Sequence, residues 1–344
     1  MKRLKGIYSA VLVICAILLA ASCEKRPLLD LSNTHYVRVY VDENLLNVTK
    51  GFYDESYEKP AYKSPGILRV TLTDPESGIV KAERYLRDQG YDEKGRYYEG
   101  YIIADPGEYQ LMAYNFDTES TIIGSSNNRY EINAYTNPIA SHLYTKIPSR
   151  VKSQTDESKG EKLSKIVYDP DHLFVGRLND VFIPARSVDA PPVILNVTCE
   201  TVVESWILEA RTVTGKENIG TIAAVITSLS ESNKIGPNIR SDEFVSVYFD
   251  NQVIDENGLL TARFDTFGWH PGITEPQVLS LVFTDIAGNG HVYNFDVSNQ
   301  FPDNKEQIIR VQAEIDIPKP MTDGDGGFVP KVDEWEEINT DIII

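Results

Sequence analysis

Cysteine is scarce in this chain: three in 344 residues, at Cys15, Cys23 and Cys199. Two fall within the first 23 positions, so the body of the protein holds Cys199 alone and no disulfide can close within it. Positive charge is also short, with 33 Lys and Arg against 51 Asp and Glu and a net charge of −18. No basic cluster interrupts that balance, which disfavours nucleic acid and bare anionic lipid surfaces as partners. The five histidines include no H-E-x-x-H pair, no serine sits in a G-x-S-x-G elbow, and no glycine-rich phosphate loop follows a strand. Signatures of zinc hydrolysis, serine hydrolysis and nucleotide binding are therefore all missing. Helical periodicity is almost absent, and no apolar run reaches the roughly 20 residues of a spanning helix.

What is present begins at the N-terminus. Lys2, Arg3 and Lys5 precede an apolar stretch from Ile7 to Ala21, which ends in Leu18-Leu19-Ala20-Ala21-Ser22-Cys23. A basic start, a short apolar run and small residues before a cleavage point define a removed export signal. With the cysteine in place, the segment resembles a bacterial lipoprotein signal. That resemblance implies cleavage after Ser22 and acylation of Cys23. The competing readings are an ordinary secretory signal or an uncleaved anchor. Several acyl chains on one cysteine would make attachment durable, where a single chain is marginal. An exported chain without disulfides must draw its stability from its core.

The body reads as strands. Tyr36 to Val41, Gly107 to Phe116 and Ile309 to Ile317 alternate apolar and polar residues with period two, which puts one face in a core and the other in water. Further runs lie at 66–73, 78–84, 97–104, 193–199, 205–213, 221–229, 243–250, 259–267, 278–285 and 290–297. Turn signals such as Asp105-Pro106-Gly107 and Gly288-Asn289-Gly290 separate them. Many short strands at this spacing predict an all-β protein of two tandem Greek-key β-sandwich domains after the signal. The proline-rich bridge Ile183 to Pro192 sets the junction. The expected organisation is a signal at 1–22, a tether at 23–34, sandwiches at 35–184 and 193–317, and a spacer with a C-terminal strand at 318–344. The charged stretch 151–163 reads as an insertion in the first domain. Cys199, in an alternating apolar run, reads as a small buried hydrophobe.

The C-terminus is the second distinctive feature. Pro318-Lys319-Pro320 and the glycine-rich 323–327 form a spacer, followed by Glu334 to Ile344, which ends in β-branched apolar residues. An apolar, β-branched tail invites strand pairing. It has two possible destinations: a last strand folded back on its own domain, or a strand offered to another protein by β-addition.

Three phrases carry a family resemblance: Pro106-Gly107-Glu108-Tyr109-Gln110-Leu111-Met112-Ala113-Tyr114-Asn115, Asp169-Pro170-Asp171-His172-Leu173-Phe174-Val175-Gly176 and Phe264-Asp265-Thr266-Phe267-Gly268. With the leader and the β pattern, the chain resembles Bacteroidales lipoproteins that serve as anchor and accessory subunits of type V fimbriae, and related two-domain lipoproteins. The resemblance implies transthyretin-like sandwiches and a non-enzymatic role at the outer membrane, with fimbrial or other envelope proteins as partners. It also implies a donated C-terminal strand with Ile338, Thr340, Ile342 and Ile344 on one face. No cofactor is expected beyond the diacylglycerol and N-acyl lipid on Cys23.

Other candidates are weaker. Asp169, Asp171 and His172 form a compact polar group that reads as a turn capping a strand rather than a metal site. Asp323-Gly324-Asp325-Gly326 is half of a calcium loop without its mid-loop acids, so no metal is expected. Surface glycan binding is the alternative function. For it, Trp269, in the loop Phe267-Gly268-Trp269-His270-Pro271-Gly272, is the ligand-contact candidate, because sugar platforms use exposed aromatic rings.

Overall fold

Alternating burial builds the first sheet. A computed structural model of the protein describes residues 31–41, 64–147, 165–302, 304, 306–320 and 339–343. The first half contains β1 (Thr34–Val41), β2 (Leu68–Thr73), β3 (Val80–Leu86), β4 (Asp88–Asp92), β5 (Gly95–Ile103), β6 (Gly107–Asn115), β7 (Thr121–Gly124), β8 (Asn133–Thr136), helix α1 (Ser141–Lys146), β9 (Lys165–Tyr168), β10 (Phe174–Ile183) and β11 (Ile194–Thr201). Eight of these strands form one sheet in the order β3-β2-β6-β10-β11-β1-β5-β4. Val37 and Val39 of β1, Leu68, Val70 and Leu72 of β2, Leu111 of β6, Phe174 of β10 and Val197 of β11 share a single core. One sheet supplies all of these because it curls until β3 meets β5. A Cβ on Gly100 of β5 would lie 2.7 Å from the Leu86 side chain of β3. Cys199 is fully buried in this core, and burial pushes its thiol up to about 12.

The second half contains β12 (Glu204–Thr214), β13 (Ile219–Ser230), β14 (Ser232–Lys234), β15 (Ile239–Arg240), β16 (Phe244–Phe249), β17 (Val253–Ile254), β18 (Leu260–Thr266), β19 (Val278–Asp285), β20 (Gly290–Asp296), β21 (Ile308–Asp316) and β22 (Asn339–Ile343). A four-stranded sheet, β17-β18-β12-β21, faces a six-stranded sheet, β22-β20-β19-β13-β16-β9. Between them lie Trp206, Leu208, Phe249, Phe264, Leu281, Phe283, Phe295 and Val311. Burying each such side chain contributes about 1.5–3 kcal/mol. The all-β sandwich architecture read from the sequence is the architecture found.

The sheets do not divide at the proline-rich bridge. Residues 193–199 were expected to open the second sandwich. Instead β11 is an interior strand of the first sheet, antiparallel to β10 and parallel to β1, with Val37 opposite Leu195 and Val39 opposite Val197. The bridge is a crossover within the first sheet, and the chain passes to the second sandwich between Thr201 and Glu204. In the other direction, β9 was expected in the first domain but pairs in parallel with β16 of the second. Alternation identifies a strand and its buried face, but it carries no label for the sheet that will accept that strand. The charged stretch 151–163 lies outside the described residues.

A third packing layer locks the halves together. The short strands β7, β8, β14 and β15 form their own sheet, in the order β15-β14-β8-β7, drawing on both halves. Under it, Met112, Tyr114 and Val175 from the back of the first sheet, and Leu173 just before β10, pack with Ile132, Ala134, Ile235 and Phe267. On the outer face of the six-stranded sheet, Ile139, Leu143 and Ile147 around α1 cover Val225, Val282 and Val292. First-half residues therefore complete the second sandwich. An apolar joint of this kind holds two domains in a fixed relation, where polar interfaces leave them free to move.

Candidate partner-binding surfaces

The C-terminal strand comes first because its placement bears on both destinations left open above. β22 runs parallel to β20 at one end of the six-stranded sheet, with Val292 opposite Asn339, Tyr293 opposite Thr340 and Phe295 opposite Ile342. Thr340 and Ile342 thus hold register positions beside two core-forming residues, Tyr293 and Phe295. Ile338, Ile344 and Cys23 lie outside the described residues. Residues 321–338 separate β22 from the rest of its domain, so its backbone pairing is not imposed by a short turn. Without β22, β20 would be an edge strand with a row of unpaired backbone groups.

Trp269 occupies a different setting from the exposed loop platform read from the sequence. Its ring is half-buried and packs against the second core, because Phe267, two residues earlier, is drawn into the joint. Trp269 lines a cleft of about 590 Å³ with Val202, Val203, Glu204, Arg240 and His270. Arg240 ties the cleft together. Its guanidinium pairs with Glu204 and donates to the Trp269 carbonyl at 3.3 Å. Glu204 in turn accepts the Trp206 indole N–H at 3.2 Å. Gly268, at φ +94°, lies so close under Arg240 that a Cβ would sit 2.6 Å from the guanidinium carbon. The Trp269 Nε1 is buried and has no hydrogen-bond acceptor among the described residues. The His270 Nδ1 accepts the Gly272 N–H at 2.9 Å, which puts the proton of the neutral ring on Nε2. The cleft offers donors, acceptors and an aromatic wall.

A second, acidic cleft of about 390 Å³ opens where the halves meet, lined by Asp117, Asp169, Asp171, His172, Arg263 and Asp265. Asp171 holds a loop in place. Its Oδ2 accepts the backbone N–H groups of Glu119 at 2.9 Å, Ser120 at 2.6 Å and Thr121 at 2.7 Å. This is the capping role its turn implied. Asp169 is different. Burial, and then the nearby Asp265 carboxylate, push its carboxyl up to about 7. Burial also raises Asp265, against the pull of Arg263. His172 is pushed down to about 3 by burial and by the positive charge of Arg263. No local pattern placed Asp265 in this group, because it comes from β18, far along the chain. Among the described residues, no group of three or more His, Cys, Asp or Glu side chains has metal-holding geometry.

Residues 83–250 match DUF5119, a domain of unknown function. No curated protein matches the chain significantly. Among solved structures, a candidate adhesin from Bacteroides ovatus is similar over 88% of this chain and 98% of its own, at 20% identity and a TM-score of 0.54. At that identity the likeness is one of fold. The fimbrial anchor protein Mfa2 from Porphyromonas gingivalis also matches, at 14% identity, with coverage of 81% and 88% and a TM-score of 0.44. A candidate adhesin from Bacteroides thetaiotaomicron matches at 12% identity, with coverage of 83% and 93% and a TM-score of 0.47. The match to the candidate adhesin from Bacteroides ovatus shows a shared fold over nearly the whole of that chain.

Proposed function

We propose that this protein is a non-enzymatic lipoprotein of the cell envelope, an anchor or accessory subunit of a surface fimbria or adhesin. Lipid on Cys23 holds one end at the outer membrane, and the C-terminal strand engages the partner by β-addition. The observation that carries the reading is the placement of β22: a chain end that completes the six-stranded sheet along β20 through backbone pairing. Here the strand pairs within its own chain, and the same backbone pairing would form if chains exchanged it. The adhesin-type fold supports the same reading.

Cross-linked capture from outer membranes of the native host tests it. The full chain should bring down fibre subunits, and a chain lacking residues 337–344 should lose at least nine-tenths of them while still folding. Persistence of the same partners after truncation would show that the tail is not the joint. Mass spectrometry of the mature N-terminus should find Cys23 acylated, and Cys23→Ala should move the protein to the soluble fraction.

The cleft at Trp269 favours a second reading, capture of a glycan, since an aromatic wall beside Arg240 and His270 suits a sugar ring. A glycan binder would shift its tryptophan fluorescence with one member of a polysaccharide panel and lose that shift in Trp269→Phe. A fimbrial subunit without glycan affinity would show no shift with any member.

A further inference from the structure

The strongest unassigned feature is an apolar groove where the chain enters the first sandwich. It has a volume of about 610 Å³ and is lined by Leu31, Tyr101, Ile103 and Val188 together with Lys81 and Arg84. These apolar side chains are unusually open to water: Leu31 is 48% exposed, Tyr101 50%, Ile103 57% and Val188 58%. Ile194, 60% exposed, extends the patch beside Tyr36, whose ring meets that of Tyr101 at 4.2 Å. A contiguous apolar surface rimmed by charge marks an interaction site. Glu83 also lines the groove, and the Arg69 guanidinium holds it at 2.9 Å. Lys81 has only a loose contact with Asp74 at 3.9 Å, and Arg84 is exposed.

We infer that this groove and its apolar rim seat against the membrane surface, with Leu31, Tyr101, Ile103 and Val188 entering the headgroup boundary and Lys81 and Arg84 facing lipid phosphates. The inference rests on the lipid-anchor reading, and the reach of the chain selects this occupant. Seven residues, 24–30, separate Cys23 from Leu31, so an acylated Cys23 lies within about 27 Å of the groove even when that segment is fully extended. Arg186 fixes where the chain enters. Its guanidinium donates to the carbonyls of Leu31, Ala190 and Thr34, the last at 2.6 Å. Leu31, where the described chain begins, lines the groove itself, so a tether of this reach brings this face close to the bilayer. The overall negative charge supplies no attraction to lipid, so the tether supplies proximity and the apolar rim supplies contact.

The test replaces the acyl chains with a chemical tether. The mature chain with Cys23→Ser and an N-terminal hexahistidine is held on vesicles of phosphatidylethanolamine and phosphatidylcholine containing nickel-chelating lipid. An environment-sensitive fluorophore is attached at Ile103→Cys or, in a second variant, at Val188→Cys. Cys199 is fully buried and stays unlabelled. On tethering, emission from either position should rise at least twofold and be quenched by nitroxide-labelled lipid. A probe at Ile239→Cys, 56% exposed in the second half of the chain, should do neither. Adding Lys81→Glu and Arg84→Glu should cut the gain by at least half. No gain at 103 or 188, or an equal gain at 239, would overturn the inference. Acylation of Cys23 is read separately by mass spectrometry on the native chain, so failure of the anchor reading is distinguishable from failure of the docking face.

Discussion

Gly236→Ala is expected to lower stability by more than about 3 kcal/mol, among the largest effects open to a single methyl group in this protein. Gly236 lies between β14 and β15, where the second half packs against the backbone of the first. A Cβ there would sit 1.7 Å from the Arg129 carbonyl oxygen and 2.8 Å from its carbon, both backbone atoms. Neither side can retreat. The Ile235 N–H donates to the Ile132 carbonyl at 3.1 Å, and Arg177 Nε donates to the carbonyls of Ile235 and Gly236 at 2.8 and 3.1 Å. Arg129 is itself fixed, donating to the Leu111 carbonyl and to Asn179 Oδ1, each at 2.8 Å. The added methyl must therefore pry apart the apolar joint around Ile235, Met112 and Phe267. With an m-value of about 3 kcal/mol/M, the urea midpoint should fall by roughly 1 M. Gly288→Ala is the control. Gly288 has φ +90° but nothing within 4 Å of the added Cβ, so it should cost only about 1 kcal/mol of backbone strain. Equal losses in the two variants would mean that the close approach at Gly236 does not exist.

The same joint shows what the sequence reveals and what it withholds. Strict alternation in 36–41, 107–116 and 309–317 marked β1, β6 and β21, because period two is a local property of residues that share a face. It did not mark β10, a central strand of the first sheet. The stretch Phe174 to Ile183 carries a register shift between Leu178 and Val181, which breaks the period and leaves Asn179 and Asp180 outside the ladder. Nor did it mark β7, β8, β14 and β15, which span two to four residues each, too few to show any period. The acidic cleft was half legible. Asp171 was read as a capping residue from its turn, but Asp265 joins Asp169 only through tertiary packing of β18 against the loop after β9. Trp269 was legible as an aromatic in a glycine-rich loop. Its half-burial depends on Phe267 being drawn into a joint that no local pattern announces.

That cleft sets the second large effect, a pH-dependent gain in stability for Asp169→Asn. A carboxyl whose pKa stands near 7 in the folded chain, against an ordinary value of 3.8, binds its proton more tightly when folded. Its stabilising contribution is fully present below about pH 4 and is lost as the pH rises through about 7. The groups facing it are Asp265, Asp171, His172 and Arg263. Asp265 shares the site and is raised as well, so the proton released across this range belongs to the pair. His172 acts in the opposite sense. With its folded pKa near 3, it stays neutral in the fold while the unfolded chain takes up a proton below 6.5, so stability falls as the medium turns acid. Between about pH 4 and 6.5 the slope from His172 opposes that from the Asp169 and Asp265 pair. Asp169→Asn removes one slope and exposes the other. The asparagine carbonyl still accepts the Asp265 backbone N–H, so little geometry is lost. Relative to wild type, the variant should be nearly neutral at pH 4 and more stable by about 2–4 kcal/mol at pH 8, where the wild-type carboxyl is ionised in its buried site. Urea unfolding at pH 4, 6 and 8 measures this difference. A difference that stays constant with pH would mean that Asp169 is ionised throughout and that the joint tolerates its charge.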